Sequence, residues 1–146
     1  MIDRKWIGHR LPASVMTIER GRLQFFAKAI GETNPVYTDV AAARAAGYVD
    51  LPAPPTFLFG TELESGANDR LLADLGIPLA KLLHGEQRFA YHLPACAGDT
   101  VTIHSTVTDI YDRKGGALEF VVKNSRAVDG AGVLLSEMRS VLVCRH

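Results

Sequence analysis

Glu32 and Tyr37 stand five positions apart, on either side of the Asn34-Pro35 turn in AIGETNPVYTD, residues 29–39. A carboxylate and a hydroxyl on one loop are a candidate acid/base pair: one accepts a proton from water while the other donates or steadies one. The same residues also suit a polar helix end. Ala29 and Ile30 close an apolar face, Gly31 interrupts it, and asparagine commonly bonds its own backbone in turns. Catalytic, ligand-positioning and purely structural roles all remain open from these residues alone. Glu32 has the chemistry of a base. Tyr37 is harder to read as a proton shuttle, because a phenol titrates near ~10 and an imidazole near ~6.5. Its hydroxyl can still hold a water or donate to a carbonyl.

A second candidate lies at Pro54-Pro55. Proline is tolerated in the first turn of a helix, so a helix beginning there leaves the N–H groups of Thr56 and Phe57 free. Such groups can hold an oxyanion, or can simply be capped within the chain. His84 and Glu86, in LLHGEQ, are polar residues next to a strand and either structural or ligand-lining. His92 and His104 are expected on the outer side of the sheet. Cys96 and Cys144 have no neighbouring base and are expected to be free thiols rather than nucleophiles.

The remaining chemistry is limited by what the sequence lacks. Lysine plus arginine and aspartate plus glutamate balance at 16 each, which leaves no basic footprint for nucleic acid or an anionic membrane. No apolar run approaches the ~20 residues of a membrane span. The start, MIDRKWIGHRLP, lacks the apolar stretch of a signal peptide, and a cytoplasmic location is expected. The five histidines are scattered without metal-ligand spacing, and no glycine-rich cofactor loop or nucleophile-elbow motif is present, so neither metal nor cofactor is expected.

The candidate groups need elements to position them. Leu23, Phe26, Ala27 and Ile30 recur at helical spacing, Asp39 suits an N-cap for VAAARAA, and NDRLLADL stops at Gly76. The stretch 55–63 is nearly all apolar and reads as a helix buried on every side. From Glu86 the period changes to two. Val101, Ile103, Ser105 and Val107 share one face, and LEFVVKNSRAV and GVLLSEMRSVLVC follow as long strands. Helices followed by four antiparallel strands in a meander predict an α+β domain, with the sheet wrapped around the 55–63 helix.

AIGETNPVYTD with the AAARAAGY after it resembles the signature of MaoC-like hydratases, Gly-Asp-x-Asn-Pro-(aliphatic)-His-x-Asp followed by an Ala-rich helix. APPTFL and LHGEQRFAYHLPACAGDTV resemble the FAS1-like dehydratase branch of the same superfamily. The resemblance spans about residues 8–145 and implies one hotdog-fold domain over the whole chain, 1–146: a curved antiparallel sheet around a central helix. It implies a hydro-lyase that hydrates enoyl thioesters or dehydrates 3-hydroxyacyl thioesters, on coenzyme A or acyl carrier protein, without metal. Gly31, Asn34, Pro35 and Asp39 match the signature. Glu32 stands at the catalytic Asp position and Tyr37 at the catalytic His position. The expected substrate pocket is lined by the 31–39 loop, including Gly31, Asn34 and Pro35, with Thr56, Phe57, Phe59 and His84. Three readings follow: a homodimeric hydratase with Glu32 as base; a non-catalytic acyl-binding subunit paired with a MaoC-like chain that has the intact pair; or a hotdog thioesterase, with Glu62 or Glu64 as its acid.

Overall fold

A computed structural model describes all residues, 1–146. Strand β1 (Ser14–Thr17) is followed by helices α1 (Arg20–Ala29), α2 (Val40–Ala45), α3 (Phe57–Glu64) and α4 (Ala67–Leu75). Four long strands complete the chain: β2 (Leu82–Tyr91), β3 (Thr100–Arg113), β4 (Leu118–Val128) and β5 (Leu134–Arg145). They form one antiparallel sheet in the order β1-β3-β4-β5-β2, curled around α3. This is the expected hotdog architecture. No helix is long and apolar enough to cross a membrane.

The sheet departs from the expected meander in two ways. A fifth strand, β1, pairs with β3, and β2 pairs with β5 rather than with its sequence neighbour β3. Only β3, β4 and β5 are joined as successive hairpins. Alternation along a strand specifies its buried face and says nothing about its neighbours. The 92–99 connection therefore crosses from one edge of the sheet to the far side of β4. Strand β2 also starts at Leu82, which places His84 within it. A bulge between His84 and Glu86 centres on Gly85, where a Cβ would lie 2.7 Å from a Val143 methyl carbon, so only glycine fits.

The local signals were realised closely. Asp39 Oδ1 accepts the Ala41 N–H at 2.8 Å and caps α2, while Gly76 ends α4 at φ 66°. Val101, Ile103, Ser105 and Val107 all face the interior. The apolar interior divides into two clusters. One gathers Leu23, Leu51, Leu58, Ile103 and Met138 around the start of α3. The other gathers Leu71, Leu75, Val107, Val121 and Cys144 against α4. Between them lie the polar side chains of Ser105, Ser125, Lys123 and Glu62, all buried.

The loop from Tyr48 to Pro55 runs toward the start of α3 and is held at its root by Asp50. Arg20 donates Nε and Nη2 to the Asp50 carboxylate at 2.8 and 2.6 Å, and the Leu51 N–H donates to Oδ1 at 2.8 Å. The Arg20 hydrogen bonds hold the Asp50 carboxyl at about 2, below its ordinary 3.8. The folded chain thus binds this proton less readily than the unfolded chain. The stabilisation is complete above about pH 4 and is lost as pH falls toward 2. Asp50→Asn should accordingly flatten the fall in melting temperature between pH 4 and pH 2, which a calorimetric pH series would measure. A slope equal to that of the wild type would show that the clamp carries no linkage.

Candidate functional site

A cavity of about 290 Å³ opens at the N-terminal end of α3. Tyr37 enters it from the 31–39 loop, Tyr48 and Pro55 from the 48–55 loop, Tyr91 from the end of β2, Leu58 from α3 and Ser136 from β5. The loop that delivers Tyr37 is built from local hydrogen bonds. Gly31 adopts φ 73°, a left-handed conformation that glycine takes without strain. Asn34 Oδ1 then accepts the Val36 N–H at 3.1 Å and starts the Pro35–Tyr37 turn. Gly31, Asn34 and Pro35 shape this turn; none of them lines the cavity. Burial raises the Tyr37 phenol above its ordinary 10, with further upward pushes from Tyr48, Glu32 and Tyr91. At neutral pH its O–H therefore remains a donor.

Glu32 points elsewhere. Its Oε1 accepts the Asn34 N–H at 2.8 Å, and the residue does not line the cavity. The fold thus places one member of the sequence pair in the cavity and uses the other to fasten the loop. The expected N–H donors at the start of α3 are also engaged within the chain. The Phe57 N–H donates to the Pro54 carbonyl at 3.1 Å, and the Thr56 N–H donates to the Tyr91 hydroxyl oxygen at 2.9 Å. Thr56 sits at φ 75°, an uncommon conformation for a β-branched residue. Since the Tyr91 oxygen accepts from backbone, its own proton is left to donate into the cavity.

Other predicted residues are dispersed. The Phe57 side chain packs edge-on against Phe26 in the core, with ring centres 5.4 Å apart. Phe59 stacks on His84 and lines a second cavity of about 150 Å³ together with Asn68, Lys123 and Leu142. Glu86 pairs with Arg139 and Arg88. His104 is exposed. His92, expected on the outer side, is indeed exposed, but it reaches the cavity rim with its Nε2 3.0 Å from Glu137. Burial raises both cysteine thiols above their ordinary values, which leaves little thiolate at neutral pH. No cluster of three histidine, cysteine or acidic side chains has the geometry to hold a metal ion.

Sequence reasoning missed Tyr48, Tyr91 and Ser136. The Ser136 hydroxyl is buried and has no hydrogen-bond partner in the chain. Its alternation with Met138 and Ser140 along β5 was the available signal. Tyr48 and Tyr91 stand in two of the stretches that carry the family resemblance, AAARAAGY and LHGEQRFAYHLPACAGDTV, but their approach to Tyr37 and Thr56 is a tertiary event that no spacing reveals. The second acidic candidate pair is also resolved. Glu64 is exposed and pairs with Arg22. Glu62 is fully buried: Ser105 and Ser125 donate to its Oε1, the latter at 2.8 Å, and the Lys123 ammonium lies 3.1 Å from Oε2. Lys123 also donates to Asn68 Oδ1 at 2.6 Å.

This architecture and sequence have clear relatives. Residues 5–138 match the family model of the FAS1-like dehydratase domain region. A UPF0336 protein of Clavibacter michiganensis subsp. michiganensis is 40% identical over 141 residues, which cover 94% of this chain and 92% of that one. A UPF0336 protein of Thermobifida fusca is 35% identical over 146 residues, covering 99% and 94%. Among solved structures, the HadBC (3R-hydroxyacyl-ACP dehydratase) complex of Mycobacterium tuberculosis superposes with a TM-score of 0.78 at 23% identity, over 94% of this chain and 96% of that one. The (R)-hydratase of A. caviae superposes at 0.73 with 20% identity, over 93% and 94%. These two likenesses establish the fold. With the family match over nearly its whole length, the chain belongs to the FAS1-like dehydratase domain family.

Proposed function

We propose that this chain is the acyl-thioester-binding, non-catalytic subunit of a two-chain enoyl-thioester hydratase or 3-hydroxyacyl-thioester dehydratase. The carrying observation is the donor set of the cavity. It presents the hydroxyls of Tyr37, Tyr48, Tyr91 and Ser136 and no carboxylate, because Glu32 is turned onto Asn34; the one imidazole at its rim, His92, has its Nε2 engaged by Glu137. Hydration needs a base to take a proton from water and an acid to protonate the α-carbon as the C–O bond forms. Hydroxyls are poor bases, and burial raises the Tyr37 phenol further above its ordinary 10, so it cannot supply the base. The hydroxyls can donate to the thioester carbonyl and to the amides of a pantetheine arm, around apolar walls suited to an acyl group. Tyr91, already accepting from Thr56, is the best-polarised of these donors. The acid/base pair would then come from a MaoC-like partner chain.

Two further facts favour a partner. The outer edge of β2 has no strand neighbour in this chain, and long open edges are commonly covered by another subunit. The structural neighbours include heteromeric assemblies, the HadBC complex and the ChsH1-ChsH2 complex. A stand-alone homodimeric hydratase is the second reading. It is favoured by the position of Glu32, whose charge is felt at Tyr37 and whose single loop hydrogen bond is accessible to solvent. A thioesterase lacks its acid here, since Glu62 is locked in an ion pair and Glu64 in a surface pair, both outside the cavity.

The purified chain should show no hydration of crotonyl-CoA, and activity should appear on co-expression with a chain carrying an intact Gly-Asp-x-Asn-Pro-x-His loop. In that complex Glu32→Gln should change the rate by less than about twofold. A stand-alone enzyme would instead lose on the order of 10²-fold or more with the same substitution. Tyr91→Phe should weaken crotonyl-CoA binding by roughly fivefold, the scale of one hydrogen bond, without unfolding the chain. Titration calorimetry on both proteins measures this, and unchanged affinity would remove Tyr91 from the site.

A further inference from the structure

Two cavities flank the polar layer under α3: the first opens at the start of the helix, and the second opens to solvent beside Leu63 and Leu79 with Lys123 at its floor; by strand register the buried ion pair lies in the layer between them. The register of the strands shows this. Along the inward face of β5, Ser136 lines the first cavity, Ser140 and Leu142 line the second, and Met138 lies between them, lining neither. Across the sheet, Met138 is paired with Ser125 and Ser125 with Ser105, and both hydroxyls donate to Glu62. The next row pairs Ser140 with Lys123, which itself lines the second cavity. On the helix, Leu58 of the first cavity and Glu62 are one turn apart on the same face. From Ser136 to Ser140 is four residues of strand, roughly 13 Å at ~3.3 Å each.

We propose that the Glu62–Lys123 pair is a chain-length stop. It closes the first cavity as a short acyl pocket and separates it from space that would otherwise continue as one tunnel. This rests on the thioester reading above and specifies its substrate class: short-chain acyl thioesters. The surroundings make an ion pair an unusual choice for packing alone, because an apolar pair of similar volume fills such a space at no desolvation cost. A growing acyl chain meeting this pair must part the two charges inside the protein, leaving each without its counter-charge. A methyl-terminated chain offers neither a replacement.

Acyl-CoA titrations on the chain and its variants test the stop. In an open apolar tunnel each added methylene strengthens binding roughly fourfold, so octenoyl-CoA would far outbind crotonyl-CoA. With the stop in place, the wild type should bind octenoyl-CoA no more tightly than crotonyl-CoA. Glu62→Ala combined with Lys123→Ala removes both charges together and should strengthen octenoyl-CoA binding at least about tenfold, with crotonyl-CoA unchanged. If that variant does not fold, Glu62→Thr with Lys123→Met keeps the core filled with a side chain that can move aside, and should show the same selective gain. A wild type that binds octenoyl-CoA tenfold more tightly than crotonyl-CoA, or folded variants without the gain, would overturn the stop while leaving the thioester site intact. If no acyl-CoA binds more tightly than CoA itself, the thioester reading fails, and the stop fails with it.

Discussion

Glu62 and Lys123 bring opposite charges into the buried polar layer between the two apolar clusters, and the rest of the fold is arranged around that pair. Burial lowers the Lys123 ammonium below its ordinary value, while the Glu62 charge and hydrogen bond work to raise it again. Each partner alone would be an uncompensated buried charge, with a penalty of about 3–5 kcal/mol. The serines of β3 and β4 and Asn68 of α4 complete the set of partners, so the pair ties α3, α4 and two strands to one geometry. The apolar core is consequently split into two clusters, and each has its own cavity beside it.

The cavity at the start of α3 inherits its chemistry from this division. Because the helix is held by its middle, its first turn and the strained Thr56 are fixed relative to the end of β2. That is what lets the Tyr91 hydroxyl meet the Thr56 N–H. The 31–39 loop is fastened by bonds within itself, Glu32 to Asn34 and Asn34 to Val36, and by Asp39 at the next helix. A loop that spends its carboxylate on its own backbone presents only a phenol to the cavity. The result is a recess of hydroxyl donors, with its one rim imidazole, His92, engaged by Glu137; it suits holding and polarising a carbonyl better than moving protons.

Signals of short range were legible in the sequence. Asp39 as a cap, Asn34 as a turn former, Gly76 as a helix stop and the inward alternation of Val101 to Val107 each depend on residues a few positions apart, whose relative placement is set by helix or strand geometry. The three motifs that resemble the FAS1-like branch were likewise readable, and with them the hotdog architecture. Strand order was not legible, because a period of two gives a buried face and no partner. Nor was the direction of Glu32, since a carboxylate two residues before an amide can bond it or reach past it, and only the packed loop selects.

What the sequence determined by itself was therefore most of the elements and their inward faces, which follow from local backbone geometry and hydrophobic periodicity, and, through the resemblance of its motifs, the family. Tertiary structure alone decided which groups meet. Thr56 and Tyr91 are separated by 35 positions, Ser125 and Glu62 by 63, and no spacing rule relates them. Their contacts exist because the sheet curls around α3 and excludes water. A buried polar group must then find its partner wherever the fold brings one, however distant in the chain.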